Sequence, residues 1–572
     1  MRVQLTGHGA SRGSALGRAR VRLPHVLDVV EQRIPSNAVA AEVQRLRAAV
    51  DATRAEMRQL RDKLHGALAR EVGEFLDLHA LLLDDPELLA GLDELIITGR
   101  YSADYALRLQ RDRLAAVFEE MDDPYLRSRM DDLDYVIGRI HAHLHNRPSD
   151  SGGQAGEILV SDNVAPSQLA QLQAEGVVAV VTSAGSPLSH SAILARSLHL
   201  PLVVGAPQAL LRINDGDVLT VDGSSGLVIV EPNAGDLRTY HQRIREVARE
   251  ARELDRLRTK ATRTLDGVDV SLLANAESRE DIARAHGLGA NGLGLYRTEF
   301  LFLQRNELPD EEEQFRTYRD AVLGMSGRPV TIRTLDLGAD KADRTGLVLD
   351  NENNPALGLR GVRLSLANPA VFNTQLRAMV RASGYGPVRV LVPMVSSREE
   401  IMAVKRKLKR VSRELRSQGH EIAEHLPLGA MIEVPSAAIS MHAFIDQVDF
   451  VSVGTNDLVQ YLLAADRNND ALGELYSPLH PGVIRLLRHV INIGAEHRVP
   501  VAVCGEMAAD PMMTPLLLAL GLAEFSLHPA TLLEVRKVIR SVDLPALQAR
   551  APKLLQARDR ASIERWLASA TP

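Results

Sequence analysis

The sequence reads as a multi-domain α/β chain that ends in a (β/α)8 barrel. Three observations predict this class. Residues from about 36 to 144 carry apolar side chains at helical spacing. The stretch 158–230 alternates short apolar strands with helices, the pattern of a mixed or parallel sheet. Beyond residue 268, eight strands recur with helices between them, which is the strand count of a closed barrel. The chain has 572 residues, room for three or four domains at roughly 150 residues each.

Taken in order, residues 2–23 read as short strands and turns. A helical block follows, opening at a cap in Ser36-Asn37, with Val43, Leu46, Val50, Met57, Leu60 and Leu64 on one seam. Further helical patterns cover 76–95, 105–120 and 133–144, so the block reads as an antiparallel bundle. Asn, Pro, Ser, Asp and Gly dominate 146–156, a linker composition. Strands are expected at 158–160, 177–181 and 202–204, helices at 166–175 and 191–198, and two closing strands within 217–230. A charged helix over 237–263 reads as an inter-domain connector. The eight barrel strands are expected at 271–274, 292–296, 330–333, 388–392, 428–434, 450–453, 501–504 and 524–527.

Composition narrows the function. Lys and Arg number 67 against 73 Asp and Glu, a formal charge of −6 with a pI near 6.3. That balance argues against a nucleic-acid binder and against a polybasic membrane-surface protein. One cysteine, Cys504, excludes a disulfide framework and multi-cysteine metal sites. The first residues lack an apolar signal core, and no apolar run reaches spanning length, so a cytoplasmic protein without membrane insertion is expected.

Barrel chemistry sits at the carboxyl ends of strands. Those positions hold Arg297-Thr298-Glu299, Arg333, Asp336, Asp340, Lys341, Arg360, Arg363, Glu433, Asn456-Asp457, Arg467 and Cys504-Gly505-Glu506. Arginine forks suit phosphate and carboxylate oxygens, and paired carboxylates suit Mg²⁺. A small phosphorylated carboxylic acid bridged by Mg²⁺ would satisfy both sets. Any one of these charges taken alone reads as a surface or salt-bridge residue; their joint placement carries the inference. Cys504 alone reads as an inert buried thiol.

A second constellation, Ala184-Gly185-Ser186-Pro187-Leu188-Ser189-His190-Ser191-Ala192, runs from a buried strand through a small-residue turn into a helix. Free N–H groups at a helix start suit a phosphoryl group, and a neutral imidazole there can attack phosphorus. The other reading is a cap-region histidine without a role. His141, His143 and His145 alternate near a helix end, but only His141 and His145 would share a face, with no carboxylate to complete a metal set, so a solvated helix is expected. The run 71–98 is acidic without Lys or Arg before Arg100, either a solvated face or a docking face for a basic partner.

Four stretches together are similar to one family: Gly294-Leu295-Tyr296-Arg297-Thr298-Glu299-Phe300-Leu301-Phe302, Thr331-Ile332-Arg333-Thr334-Leu335-Asp336, Gly454-Thr455-Asn456-Asp457-Leu458 and Cys504-Gly505-Glu506. The chain resembles Enzyme I of the bacterial phosphoenolpyruvate:sugar phosphotransferase system over nearly its whole length. The resemblance implies a swivelling α/β phosphohistidine domain (1–24 and 147–232) into which a helical HPr-binding domain (25–146) is inserted. A linker helix (233–264) and a barrel that binds phosphoenolpyruvate and forms a homodimer (265–572) would follow. It also implies His190 as phosphorylated nucleophile and Arg297, Arg333, Arg467, Asn456 and Asp457 as substrate contacts. Glu433 and Asp457 would be Mg²⁺ ligands, and Cys504 the acid that protonates enolpyruvate. The acidic helix face then becomes an expected docking surface for HPr.

Where the family has Gly-Gly-x-Thr-Ser-His, this chain has Gly185-Ser186-Pro187-Leu188-Ser189-His190, with Pro187 removing a backbone donor. Related dikinases and synthases would need an ATP-binding domain, for which the chain has no room. An aldolase-type lyase would not need His190. A regulator that only binds HPr is the non-enzymatic rival. The chain starts directly at the swivelling domain, which favours the sugar-branch carrier over its nitrogen-branch relative.

Overall fold

A computed structural model of the chain describes residues 2–22, 29–63, 79–119, 130–145, 155–164, 166–187, 189–303, 307–338, 352, 354–467, 472 and 475–570. The chain forms two compact units, Met1–Arg249 and Glu250–Pro572.

The first unit is built on an eight-stranded sheet in the order β1-β8-β7-β3-β4-β5-β6-β2. Its strands are β1 (Val3–Thr6), β2 (His8–Ser11), β3 (Ser14–Arg22), β4 (Glu157–Ser161), β5 (Ala179–Thr182), β6 (Leu202–Val204), β7 (Val218–Asp222) and β8 (Leu227–Val230). The longest, β3, runs parallel to β4 with Arg18 opposite Glu157 and antiparallel to β7 with Ser14 opposite Asp222. One sheet therefore joins strands from both sides of the helical block, which is an excursion between β3 and β4.

That block holds helices Val39–Lys63, Pro86–Ile97, Ala103–Glu119 and Met130–Leu144. Their facing seams bury Leu46, Val50, Met57, Leu92, Ile96, Leu107, Val136 and Ile140. Between the seams Arg139 forks both oxygens of Glu56 at 2.5 and 2.6 Å. Ser36-Asn37 does not cap the first helix. A 3₁₀ turn Ser36–Ala38 precedes it, with Pro35 at the cap and no side-chain cap bond. The helix expected over 76–95 breaks at Asp84-Asp85 in its described part, because Pro86 cannot continue it and Asp85 caps the next helix through the Glu87 N–H.

The connector helix spans Ala234–Asp255 and stops short of residue 263. Arg536, 1 % exposed, donates to the carbonyls of Leu257, Arg258, Leu288 and Gly289 at 2.7–3.1 Å and to Thr262 Oγ1 at 3.0 Å. Those carbonyls turn toward one buried guanidinium instead of continuing a helical ladder.

The second unit is a closed, all-parallel barrel: β9 (Ser271–Ala276), β10 (Leu293–Tyr296), β11 (Val330–Arg333), β12 (Val388–Val392), β13 (Leu428–Ile432), β14 (Phe450–Val453), β15 (Val501–Val503) and β16 (Glu524–Leu527), which returns to β9. The main core lies between the strands and the surrounding helices. A smaller cluster of Leu295, Leu391, Met431, Phe450 and Cys504 comes from strands and strand ends alone, the kind of layer that fills a barrel interior. Among the described residues no helix is long and apolar enough to cross a membrane.

Candidate active site

The barrel strands deliver their charges at or just past their carboxyl ends. β10 is followed by Arg297 and Glu299, β11 ends in Arg333, β13 is followed by Glu433, and β15 by Cys504. After β14, Gly454 leads into helix Thr455–Leu463, which carries Asn456 and Asp457 in its first turn.

Arg333 is the centre of a buried ionic network. It meets Glu299 at 3.1 Å and Asp336 at 3.2 Å, and its Nη1 lies 3.8 Å from Met431 Sδ. Asp336, 3 % exposed, also accepts from Arg360 at 3.1 Å, and Arg360 reaches Asp457 at 3.3 Å. Arg467 stands 3.9 Å from Asp457 and is about half exposed, as is Arg297, which pairs with Glu277. Burial opposes the charge on Arg333, but Glu299, Asp336 and Glu433 outweigh it and hold the guanidinium firmly protonated. Its Nε is buried, with no hydrogen-bond partner among the described residues. One arginine thus sits at the floor of the mouth and two at its rim.

Glu433 is 2 % exposed and accepts the Met394 N–H at 2.6 Å. Burial, then the negative charge of Asp336 and Asp457, pushes its carboxyl up to about 8. Gly454 permits this packing, since a Cβ there would stand 2.7 Å from Glu433 Oε2. A buried carboxylate facing two others is what a divalent cation would relieve, and hard oxygen donors suit Mg²⁺. The donor set therefore fits that ion.

Cys504 is buried, with Sγ 3.4 Å from the Val453 carbonyl. Burial pushes its thiol up to about 11; Glu433 adds to this, while Ser452, Arg333 and Arg297 oppose it. The sulfur therefore keeps its proton at neutral pH. Asn456 is clamped to Glu506 in both directions, Nδ2 to Oε1 at 2.9 Å and Glu506 N–H to Oδ1 at 3.0 Å. Gly505 makes this approach possible, because a Cβ would fall 1.9 Å from Thr455 Oγ1.

In the amino-terminal unit, β5 leads through Gly185, at φ +100°, into helix His190–Ser197. His190 is the first residue of that helix. Ser189 caps it, accepting the Ala192 N–H at 3.2 Å. Ser191 Oγ donates to the Val164 carbonyl at 2.6 Å. Arg196 donates to the carbonyls of Pro187 and Ala10 at 3.1 and 3.0 Å and so ties the turn to β2. Asp340, Lys341 and Leu188 lie outside the described residues.

Three family descriptions match in succession: PEP-utilising enzyme, N-terminal, over residues 6–129; mobile domain over 153–226; and PEP-binding domain over 251–544. A phosphoenolpyruvate-protein phosphotransferase of Cupriavidus necator is 44 % identical over 98 % of both chains. The chain belongs to this family of PEP-utilising enzymes. Proteins of the same name from Geobacillus stearothermophilus, 38 % identical over 94 % of this chain and 93 % of that one, and Listeria monocytogenes, 37 % identical over 95 % of each, agree. The chain is accordingly a phosphotransferase of the PEP-utilising type, an enzyme rather than a binding module.

Against that family frame, the structure brings seven of the expected residues to one barrel mouth: Arg297, Arg333, Glu433, Asn456, Asp457, Arg467 and Cys504. His190 belongs to the mobile domain. Two participants escaped the sequence reading. Tyr461 accepts from Arg360 at 3.2 Å and donates to the Ala356 carbonyl; its spacing of four from Asp457 put it on the same helix face and was the available signal. Glu277, the partner of Arg297, follows β9 and carried only its place one residue beyond a strand end.

Proposed function

We propose that this enzyme transfers the phosphoryl group of phosphoenolpyruvate to His190 and then to the carrier protein HPr, releasing pyruvate. The observation that carries the reading is the barrel mouth, where a thiol that keeps its proton shares a buried pocket of charge with Arg333, Glu433 and Asp457.

Arg333 at the floor, with Arg297 and Arg467 at the rim, would grip phosphate and carboxylate oxygens, with Asn456 adding an amide donor. Binding must exchange these arginines from their carboxylate partners, so the substrate replaces charges already gathered. Glu433 and Asp457 would hold Mg²⁺, which when bound draws negative charge from the substrate's oxygens. The neutral imidazole of His190 attacks phosphorus, the bond to the enol oxygen breaks, and the electron pair leaves on an enolate. Cys504 then gives its proton to the methylene carbon, forming pyruvate, and the thiolate regains a proton from solvent. Protonation at carbon removes the enolate and draws the transfer forward. The Ser189-capped helix start would cradle the phosphoryl group on His190.

In this reading residues 1–24 and 147–232 act as the swivelling domain, 25–146 as the HPr-docking domain, 233–264 as the linker, and 265–572 as a barrel that dimerises. The protein works in the cytoplasm. Incubation with labelled phosphoenolpyruvate and Mg²⁺ tests the proposal. Acid-labile, base-stable label should appear on wild type and be missing from His190→Ala. An unlabelled wild type would overturn it.

A further inference from the structure

The alternating histidines at the end of helix Met130–Leu144 do not face solvent alone. Asp104, in the first turn of helix Ala103–Glu119, completes the set that His141 and His145 lacked in the sequence. Its Oδ1 lies 3.4 Å from His141 Nε2 and 2.7 Å from His145 Nε2, and all three ligand atoms lie within 4.8 Å of one another. The two imidazoles are tilted by 59° rather than stacked, with their Nε2 atoms converging on one oxygen. We propose that Asp104, His141 and His145 form a binding site for a borderline divalent cation, Zn²⁺ foremost, that clasps two neighbouring helices of the amino-terminal unit.

Three features carry this beyond a shared hydrogen bond. The first is the donor set: two imidazole nitrogens and one carboxylate oxygen suit Zn²⁺ and disfavour Mg²⁺, and three protein ligands leave a fourth position for water. Tetrahedral Zn²⁺ at about 2.0 Å from each ligand needs ligand atoms roughly 3.3 Å apart. The His141 separation already meets that, and His145, the most exposed of the three at 39 %, has room to move outward.

The second is preorganisation. Arg45 holds Asp104 Oδ2 at 3.0 Å, which fixes the carboxylate with Oδ1 toward the two imidazoles. Glu42 in turn accepts from Arg45 at 2.9 Å and from the Ala103 N–H at 2.8 Å, fixing the start of the helix that carries Asp104. Such outer partners orient a ligating carboxylate.

The third is a contrast on the same helix. His143 also meets a carboxylate, Glu56 at 2.9 Å, but the fork of Arg139 occupies both oxygens there and no second imidazole among the described residues shares it. Among the described residues of this stretch, the 141 and 145 positions, four apart, reach a common oxygen.

The test is Zn²⁺ titration into chelator-stripped full-length protein, with millimolar Mg²⁺ present to saturate the barrel carboxylates, followed by calorimetry. Wild type should bind one more Zn²⁺ per chain than His141→Gln/His145→Gln, and Asp104→Asn should weaken that site at least about tenfold. Co²⁺ should give visible absorption bands without sulfur charge transfer in wild type, and these should vanish in the double variant. Circular dichroism separates a lost site from a lost fold, and the surface variant His145→Gln serves where the double variant misfolds. Equal Zn²⁺ stoichiometry and affinity in wild type and a folded variant would overturn the proposal.

Discussion

The barrel mouth and the His190 turn hold their chemical groups in opposite ways. At the mouth, side chains position side chains: Glu299, Arg333, Asp336, Arg360 and Asp457 form an alternating chain of charges with contacts of 3.1–3.3 Å. In the turn, side chains bond to backbone atoms instead. Ser189 caps an N–H, Ser191 reaches a carbonyl, and Arg196 ties down the carbonyls of Pro187 and Ala10. A charge network fails when one member is lost, because its partners stay buried and unpaired. A turn held by side-chain-to-backbone bonds depends only on the few residues that make them, here Ser189, Ser191 and Arg196. Arg196 takes hold of Pro187 through its carbonyl, which any residue supplies, so a proline in the turn is compatible with His190 at the helix start.

The largest expected effect is His190→Ala. Phosphoenolpyruvate-dependent labelling should fall to background with the melting temperature little changed, because alanine is the residue best suited to a helix. A large loss of stability would break the comparison from that side. Next comes Arg333→Met at the mouth, which takes from Glu299 its arginine partner and leaves Asp336 with Arg360 alone. Removing one partner of a buried ion pair costs about 3–5 kcal/mol, so chemical denaturation should show a loss of that order together with a labelling rate down at least a hundredfold. A variant that lost activity but kept full stability would show that the network is not what holds the mouth together.

The barrel was legible because buried parallel strands are written as short apolar runs with a fixed rhythm. β11, β12, β14 and β16 span the expected residues, and the others differ by one or two. The mouth was legible by position, since strand ends point residues the same way. What sequence spacing cannot report is a partner from another element. Asp104 lies 37 residues before His141 and was invisible as its neighbour, and Tyr461 and Glu277 were missed for the same reason. The connector helix was read too long because its end is set by Arg536, far along the chain, and not by a local breaker.

Cys504→Ser asks whether the mouth's thiol acts as an acid or merely packs. Loss of a general acid costs about 100- to 10,000-fold, so pyruvate formation should drop within that range while the fold survives. The thiol also carries a pH signature. Its pKa is raised from 9.0 to about 11 in the folded chain, so its contribution to stability is complete below pH 9 and is lost as pH rises through 11, with a slope on the order of 1.4 kcal/mol per pH unit. Cys504→Ala should make the alkaline slope shallower by that amount, read by denaturation at pH 8 to 11; raised tyrosines such as Tyr476 keep the remainder. An unchanged slope would place the titration elsewhere.

The smallest effect sharpens the other half of the comparison. Ser189 has two candidate tasks, capping helix His190–Ser197 and offering its hydroxyl to the phosphoryl group, and a single substitution cannot separate them. Two substitutions can. Replacing a capping serine by alanine costs about 1 kcal/mol, but replacing it by glycine only a few tenths. Both remove the hydroxyl. If Ser189 only caps, Ser189→Ala should lower stability and labelling rate together while Ser189→Gly leaves both near wild type. If the hydroxyl also steadies phosphohistidine, both variants should slow transfer by a similar several-fold factor, with stability falling in Ser189→Ala alone. The second pattern is expected, because this turn lacks the family's threonine and Ser189 is the hydroxyl immediately before the nucleophile.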